Sequence, residues 1–172
     1  LKIKVPFIDL GKDYLKEKDD LLKIIDETLS GGKYVLGEEV DEFERSFAKV
    51  CETSFAVSLN SGTDALILAL KALDIGPGDE VITVPNSWIS TVSSIVITGA
   101  QPIFVDVKDD LNIDPELLKS VITNRTKAII PVHLAGKCAE MDPILAIAQE
   151  HQIAVIEDAA QSIGSLYKGK PA

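Results

Sequence analysis

The stretch Glu80 to Val84, "EVITV", carries β-branched side chains at four successive positions instead of alternating them with polar ones. A strand of this kind has both faces covered, as in a parallel sheet sandwiched between helices. The flanking sequence agrees. Helices are predicted from about Thr63 to Leu73 and from about Ile89 to Thr98, followed by a strand in "PIFVDV", Pro102–Val107. Asp114 before Pro115 combines an N-cap with a proline at the first helical position, and Asp142 before Pro143 is read as opening a later helix in the same way. Between and after these lie the apolar runs "AIIPV", Ala128–Val132, and "IAVIE", Ile153–Glu157. A further strand, "FAVSLN", Phe55–Asn60, is predicted ahead of the Thr63 helix. Strands alternating with helices give an α/β fold, a three-layer, doubly wound, mostly parallel sheet.

Two helices precede this alternation. Leu15, Leu22, Ile25 and Leu29 recur at helical spacing and stop at Ser30-Gly31-Gly32, and Val40, Phe43, Phe47 and Val50 repeat the pattern. The domain reading is therefore an N-terminal helical segment over residues 1–52 and an α/β domain over residues 53–172. The chain starts at Leu1 without a methionine and closes on "YKGKPA", whose "KGK" has the form of a hairpin turn, so the C-terminal edge is read as a cut.

Composition narrows the function classes. With 172 residues, 46% of them hydrophobic, the chain can build one ordinary core. Seventeen Lys and Arg against 27 Asp and Glu give a formal charge of -10, which argues against nucleic acid and anionic membranes as partners. Cys51 and Cys138 form no C-x-x-C pair, and His133 and His151 lie near no cysteine pair, so neither a disulfide framework nor a zinc site is expected. No apolar run is long enough to span a bilayer and no signal-peptide pattern is found at the start, so a cytoplasmic location with reduced thiols is expected.

In doubly wound sheets ligands bind beyond the carboxyl ends of the strands. That rule selects "NSGTDA", "PNSW", "VHLAG" and "EDAAQ", beginning at Asn60, Pro85, Val132 and Glu157. In the first, Ser61, Gly62, Thr63 and Asp64 open a helix directly after a strand, where free N–H groups and the helix dipole favour a phosphate; ordinary N-capping is the structural alternative. Neither a Walker nor a dinucleotide glycine pattern occurs there. Trp88, the single tryptophan, is either a core plug or a face offered to a flat ring. Glu157 and Asp158 leave a strand as neighbours and so point in opposite directions, which leaves one carboxylate for the crevice. A lone acid there suits a cationic ligand nitrogen, with Gln161 close by for a polar substituent. His133 is a general base, a ring contact or a structural histidine, the last being the plainer reading, and Lys137 and Lys168 are read as solvated lysines in polar turns. A phosphate, a flat aromatic ring and a protonated ring nitrogen are together the attributes of pyridoxal 5'-phosphate.

Longer blocks carry a resemblance. "LNSGTDALILALKALDIGPGDEVITVPNSWIST", "GAQPIFVDV", "RTKAIIPVHLAG", "MDPI" and "VIEDAAQSIGSLYKGK", with "PFIDL" at the start and "YVLGEEVDEFE" before the first predicted strand, resemble the DegT family of pyridoxal-phosphate-dependent nucleotide-sugar aminotransferases. The resemblance implies the aspartate-aminotransferase fold (fold-type I), with residues 53–172 as a partial cofactor-binding large domain. It implies Gly62, Thr63 and Asp64 at the cofactor phosphate, Trp88 stacked on the ring, Asp158 at the ring nitrogen and Gln161 near the phenolic oxygen.

In the family a Schiff-base lysine follows the "YKGK" hairpin. Lys168 and Lys170 belong to the hairpin and do not match it, so no catalytic residue is assigned in this chain and that lysine is expected beyond Ala172. The implied activity is transfer of an amino group from an amino acid, commonly glutamate, to a keto sugar on a nucleotide diphosphate, in a homodimer whose sites lie at the subunit interface. The isolated chain is then expected to be inactive. The alternatives are a sugar dehydratase of the same family, which has histidine in place of the lysine, and a non-catalytic binding fragment.

Overall fold

The computed structural model describes residues 8–172, so Pro6 and Phe7 of the "PFIDL" block lie outside the described residues. By internal contacts the chain divides into two compact units between Phe43 and Glu44. In the first unit α1 spans Leu10–Gly31. Asp9 caps it by accepting from the Lys12 N–H at 3.1 Å, and Gly32, at φ 71°, ends it in the left-handed conformation that glycine adopts without strain. Helix α2 runs Glu38–Val50, across the division.

The second unit is built on four parallel strands, β1 (Glu80–Thr83), β2 (Gln101–Phe104), β3 (Thr126–Ile129) and β4 (Ala154–Val155), in the order β2-β1-β3-β4. The chain goes first to one side of β1 and then to the other, so the topological switch point lies between β1 and β3. Helices α3 (Gly62–Ala72), α4 (Ile89–Thr98), α5 (Pro115–Val121) and α6 (Met141–His151) connect and cover the sheet. Successive strand residues supply opposite cores. Val81, Ala128 and Ile130 pack with Leu66, Leu70 and Ile95 of α3 and α4, while Ile82 and Ile129 pack with Leu118, Ile144 and Ile147 of α5 and α6. This two-sided burial is why "EVITV" shows no polar alternation. Strands β5 (Leu166–Tyr167) and β6 (Lys170–Pro171) form the expected hairpin, with Lys168 at φ 52° and Gly169 at φ 83° in its two-residue turn. No helix among the described residues is long and apolar enough to cross a membrane.

Two local expectations are corrected. "FAVSLN" forms no strand: among the described residues no ladder pairs with it, the Ser58 N–H donates instead to Glu44 Oε1 at 2.6 Å, and Phe55 and Val57 are exposed. Its apolar alternation suits a strand, but a strand needs a neighbour's backbone to pair with. Helix α6 begins at Met141 with Glu140 as its N-cap, so Asp142 and Pro143 lie inside the first turn. The N–H groups of that turn have no intrahelical acceptor, which lets proline sit there without breaking the helix.

At the amino end of β1, the buried Glu80 accepts from Thr123 Oγ1 and from Arg125 Nε, the latter at 2.9 Å, and pairs with Arg125 Nη2. The Thr123 hydrogen bond, followed by the Arg125 contacts, holds its carboxyl below the usual glutamate range. A depressed folded pKa contributes stability in full above the unfolded value, about 4.3, and loses it as pH falls toward the folded value. Chemical denaturation of wild type and Glu80→Gln across pH should therefore give a stability difference that is flat at neutral pH and shrinks on acidification; a gap that widens toward acid would contradict the assignment.

Candidate functional site

The carboxyl edge of the sheet opens into a cavity of about 400 Å³ whose wall includes Gly62, Thr63, Ser87, Trp88, Asp158 and Gln161, with Leu66, Val132 and Leu134 as its apolar part. It sits at the switch point, receiving the connections that follow β1, β3 and β4 together with the start of α3. Five of the six residues singled out from sequence are thus brought together. Asp64 is not among the wall residues: its N–H is taken by the capping Ser61 Oγ at 3.1 Å.

The start of α3 is a pole of hydrogen-bond donors. The Ala65 N–H closes on the Ser61 carbonyl at 3.0 Å, while among the described residues nothing accepts from the N–H groups of Gly62 and Thr63. Apart from its chain neighbours and its own helix backbone, no described atom lies within 4 Å of where a Cβ on Gly62 would stand, so the backbone is open to close approach. Thr63 Oγ1 donates to Ser90 Oγ at 2.8 Å, which leaves the Ser90 proton for another acceptor at the cavity wall. Free N–H groups at a helix start, with a hydroxyl beside them, are suited to an anion.

The opposite pole accepts. Strand pairing continues beyond β4: the Asp158 N–H donates to the Pro131 carbonyl at 2.9 Å, and the His133 N–H to the Asp158 carbonyl at 3.1 Å. Along this extended segment Ala154 and Ile156 pack toward the α3/α4 core and Val155 toward the α5/α6 core. Asp158 continues the first series, and its Oδ2 accepts from Thr91 Oγ1 of α4 at 2.8 Å. Glu157 continues the second, and its Oε2 meets Nε2 of the wholly buried His133 at 2.8 Å. The acid pair therefore splits between the two faces, with Asp158 in the cavity wall. His133 Nδ1 accepts from the Ala139 N–H at 3.1 Å, so the ring carries its proton on Nε2 and donates it to Glu157; the histidine is structural. Gln161 uses its side-chain oxygen to accept from the Ala135 N–H at 2.8 Å, and its NH₂ remains as the donor.

Trp88 is 74% exposed at the N-cap of α4, so it is no core plug, and its indole is available to a planar ligand. No lysine is among the cavity-wall residues. Lys137 pairs with Asp110 at 2.9 Å, and Lys168 pairs with Asp142, whose hydrogen bond and charge push the ammonium pKa up, away from a free nucleophilic amine. Burial, reinforced by Glu157, raises the Cys138 thiol as well. Thr91 and Ser90 were not singled out from sequence. The available signal was spacing: Ser87 and Thr91 stand four apart where a strand exit becomes a helix, which brings both hydroxyls to one side.

Comparison with known proteins follows this geometry. Residues 15–172 match the profile of the DegT/DnrJ/EryC1/StrS aminotransferase family. The UDP-2-acetamido-2-deoxy-3-oxo-D-glucuronate aminotransferase of Pseudomonas aeruginosa is 46% identical over 167 residues, 96% of this chain and 46% of its own length. Among solved structures, Streptomyces venezuelae DesV, in complex with a ketimine intermediate, superposes with a TM-score of 0.96 at 43% identity, covering 98% of this chain and 46% of that one. Bacillus subtilis NtdA with bound cofactor PMP gives 0.89 at 38% identity, covering 95% and 38%. The chain thus spans less than half the length of these relatives.

The His133 contacts make a stability prediction. His133→Ala leaves the Ala139 N–H and Glu157 without the ring between them and opens a cavity, at a cost of roughly 2–4 kcal/mol. Urea denaturation should show a lowered midpoint with an unchanged slope; an unchanged midpoint would show that the buried ring does not support the edge.

Proposed function

This chain belongs to the DegT/DnrJ/EryC1/StrS aminotransferase family, and on that premise we propose that the whole protein is a pyridoxal-phosphate-dependent transferase. In this reading it converts a keto sugar carried on a nucleotide diphosphate into the amino sugar, using an amino acid such as glutamate as donor. The observation that carries the proposal is the polarity of the cavity: unpaired N–H groups at Gly62 and Thr63, an exposed indole at Trp88, and a carboxylate at Asp158. That donor set fits pyridoxal phosphate. When bound, the cofactor supplies an electron-accepting ring conjugated to the transferred amino group.

The chain's own residues divide the work. Gly62 and Thr63 hold the phosphate through backbone N–H groups at the positive end of α3, where the dipole adds to the hydrogen bonds. Trp88 fixes the ring plane by stacking. Asp158 accepts from the protonated ring nitrogen and keeps the proton there. Gln161, its oxygen engaged by Ala135, offers N–H to the ring's phenolic oxygen. We assign the amine nucleophile to a lysine after the β5–β6 hairpin, as the resemblance implies; among the described residues no lysine is in the cavity wall. The homodimer follows from the family resemblance, and a cytoplasmic location fits the two free thiols, Cys51 and Cys138.

A single tryptophan makes the site directly observable. Pyridoxamine phosphate titrated into the chain should quench Trp88 fluorescence saturably, and Asp158→Asn should weaken binding about tenfold or more through loss of a charge-assisted hydrogen bond. Absence of saturable quenching would overturn the cofactor reading. For the whole protein, mass spectrometry should show the oxo group of a nucleotide-linked sugar replaced by an amino group in the presence of glutamate.

A further inference from the structure

The Thr91 hydroxyl, in the first turn of α4, lies wholly buried between two oxygens, Ser87 Oγ at 2.7 Å and Asp158 Oδ2 at 2.8 Å. A threonine hydroxyl has one proton to give. Since that proton goes to Asp158, the contact with Ser87 must run the other way, with Ser87 donating to Thr91. The three groups form a one-way chain, Ser87 to Thr91 to Asp158, that ends on a single carboxylate oxygen. Among the described residues the other oxygen, Oδ1, receives only a long 3.4 Å contact from the Ala160 N–H. Ser87, its proton committed, presents lone pairs to the cavity wall.

We propose that Thr91 is a positioning residue for recognition of the cofactor's ring nitrogen. By holding Oδ2 from a helix packed on the sheet, it fixes the carboxylate plane and leaves Oδ1 as the acceptor for the ring N–H. Thr91 and Asp158 are 67 residues apart, so the bond also ties α4 to the connection after β4. Without it the Asp158 side chain is free to rotate about its own bonds, and the ring nitrogen loses a directed partner. The inference rests on the cofactor site proposed above.

The test uses the 172-residue chain and pyridoxamine phosphate labelled with nitrogen-15 in its ring, a ligand whose amine cannot condense with surface lysines. Bound to wild type, the ring resonance should report a protonated nitrogen. Thr91→Val should weaken binding about tenfold and move the resonance toward that of a neutral pyridine, and Thr91→Ser should restore both. A merely structural threonine would lower the melting temperature without moving the resonance, and that result would overturn the proposal. Should Thr91→Val not fold, Ser87→Ala decides the matter. It removes the donor to Thr91 from the cavity wall and should shift the resonance in the same direction by less, whereas an unshifted resonance would overturn the proposal. A wild-type chain that takes up no pyridoxamine phosphate, or Asp158→Asn binding it like wild type, overturns the cofactor reading itself, and this inference with it.

Discussion

The backbone bonds at Asp158, its N–H to the Pro131 carbonyl at 2.9 Å and its carbonyl from the His133 N–H at 3.1 Å, prolong the parallel pairing of β3 and β4 past the ends of both strands. The rest of the carboxyl edge depends on that extension. Paired backbone keeps its two-residue alternation, so neighbouring side chains must leave on opposite faces. Had the pairing stopped at Val155, the direction of the two acids would have been left to a loop. Instead Glu157 is delivered to His133, in the segment after β3, and Asp158 to Thr91 of α4, and each carboxylate meets a buried partner on its own face.

Those partners explain how buried polarity is tolerated at the edge of an apolar sheet. The His133 ring lies between Glu157 and the Ala139 N–H, so both of its nitrogens are used. Thr91 is likewise satisfied on both sides. Among the described residues no buried side-chain nitrogen or oxygen lacks a partner, whereas backbone N–H groups at the cavity wall stay free. The opening of α3 supplies the clearest of these. Ser61 satisfies the third N–H of the helix and leaves the first two, at Gly62 and Thr63, with no acceptor among the described residues.

Sequence reading was strong where local physics decides and weak where a distant neighbour does. Helix α4, predicted over about Ile89 to Thr98, lies between local features, a strand exit ahead of it and Gly99 behind it; Gly99, at φ 88°, also lies where a Cβ would come within 2.9 Å of Pro77. The parallel sheet was legible in "EVITV" because burial on two faces leaves a compositional trace. "FAVSLN" misled because its alternation describes how a strand would be buried and says nothing about which backbone pairs with it. At the site, Gly62, Thr63, Trp88 and Gln161 were legible as candidates from their places after predicted strands and at a helix start, while only the family resemblance singled out Asp158 over Glu157. Thr91 was not, since its importance comes from Asp158, 67 residues away. A hydroxyl in the first turn of a helix gives no local sign of which distant partner it will meet.

Among the described residues Asp158 is the only ionisable side chain in the cavity wall, and no described lysine or arginine is there to hold an anion. Whatever binds an anionic group at Gly62 and Thr63 must do so with neutral donors and the end of a helix dipole, in the same cavity as a carboxylate. A simple anion would be attracted by the first feature and repelled by the second, and in a cavity partly shielded from water neither effect is fully screened. A ligand that carries negative charge at one end and a protonated nitrogen at the other gains from both poles at once. A dipolar ligand is therefore what the proposed site favours. The sorting depends on the parallel pairing that fixes Asp158, and on the helix start that leaves two N–H groups free.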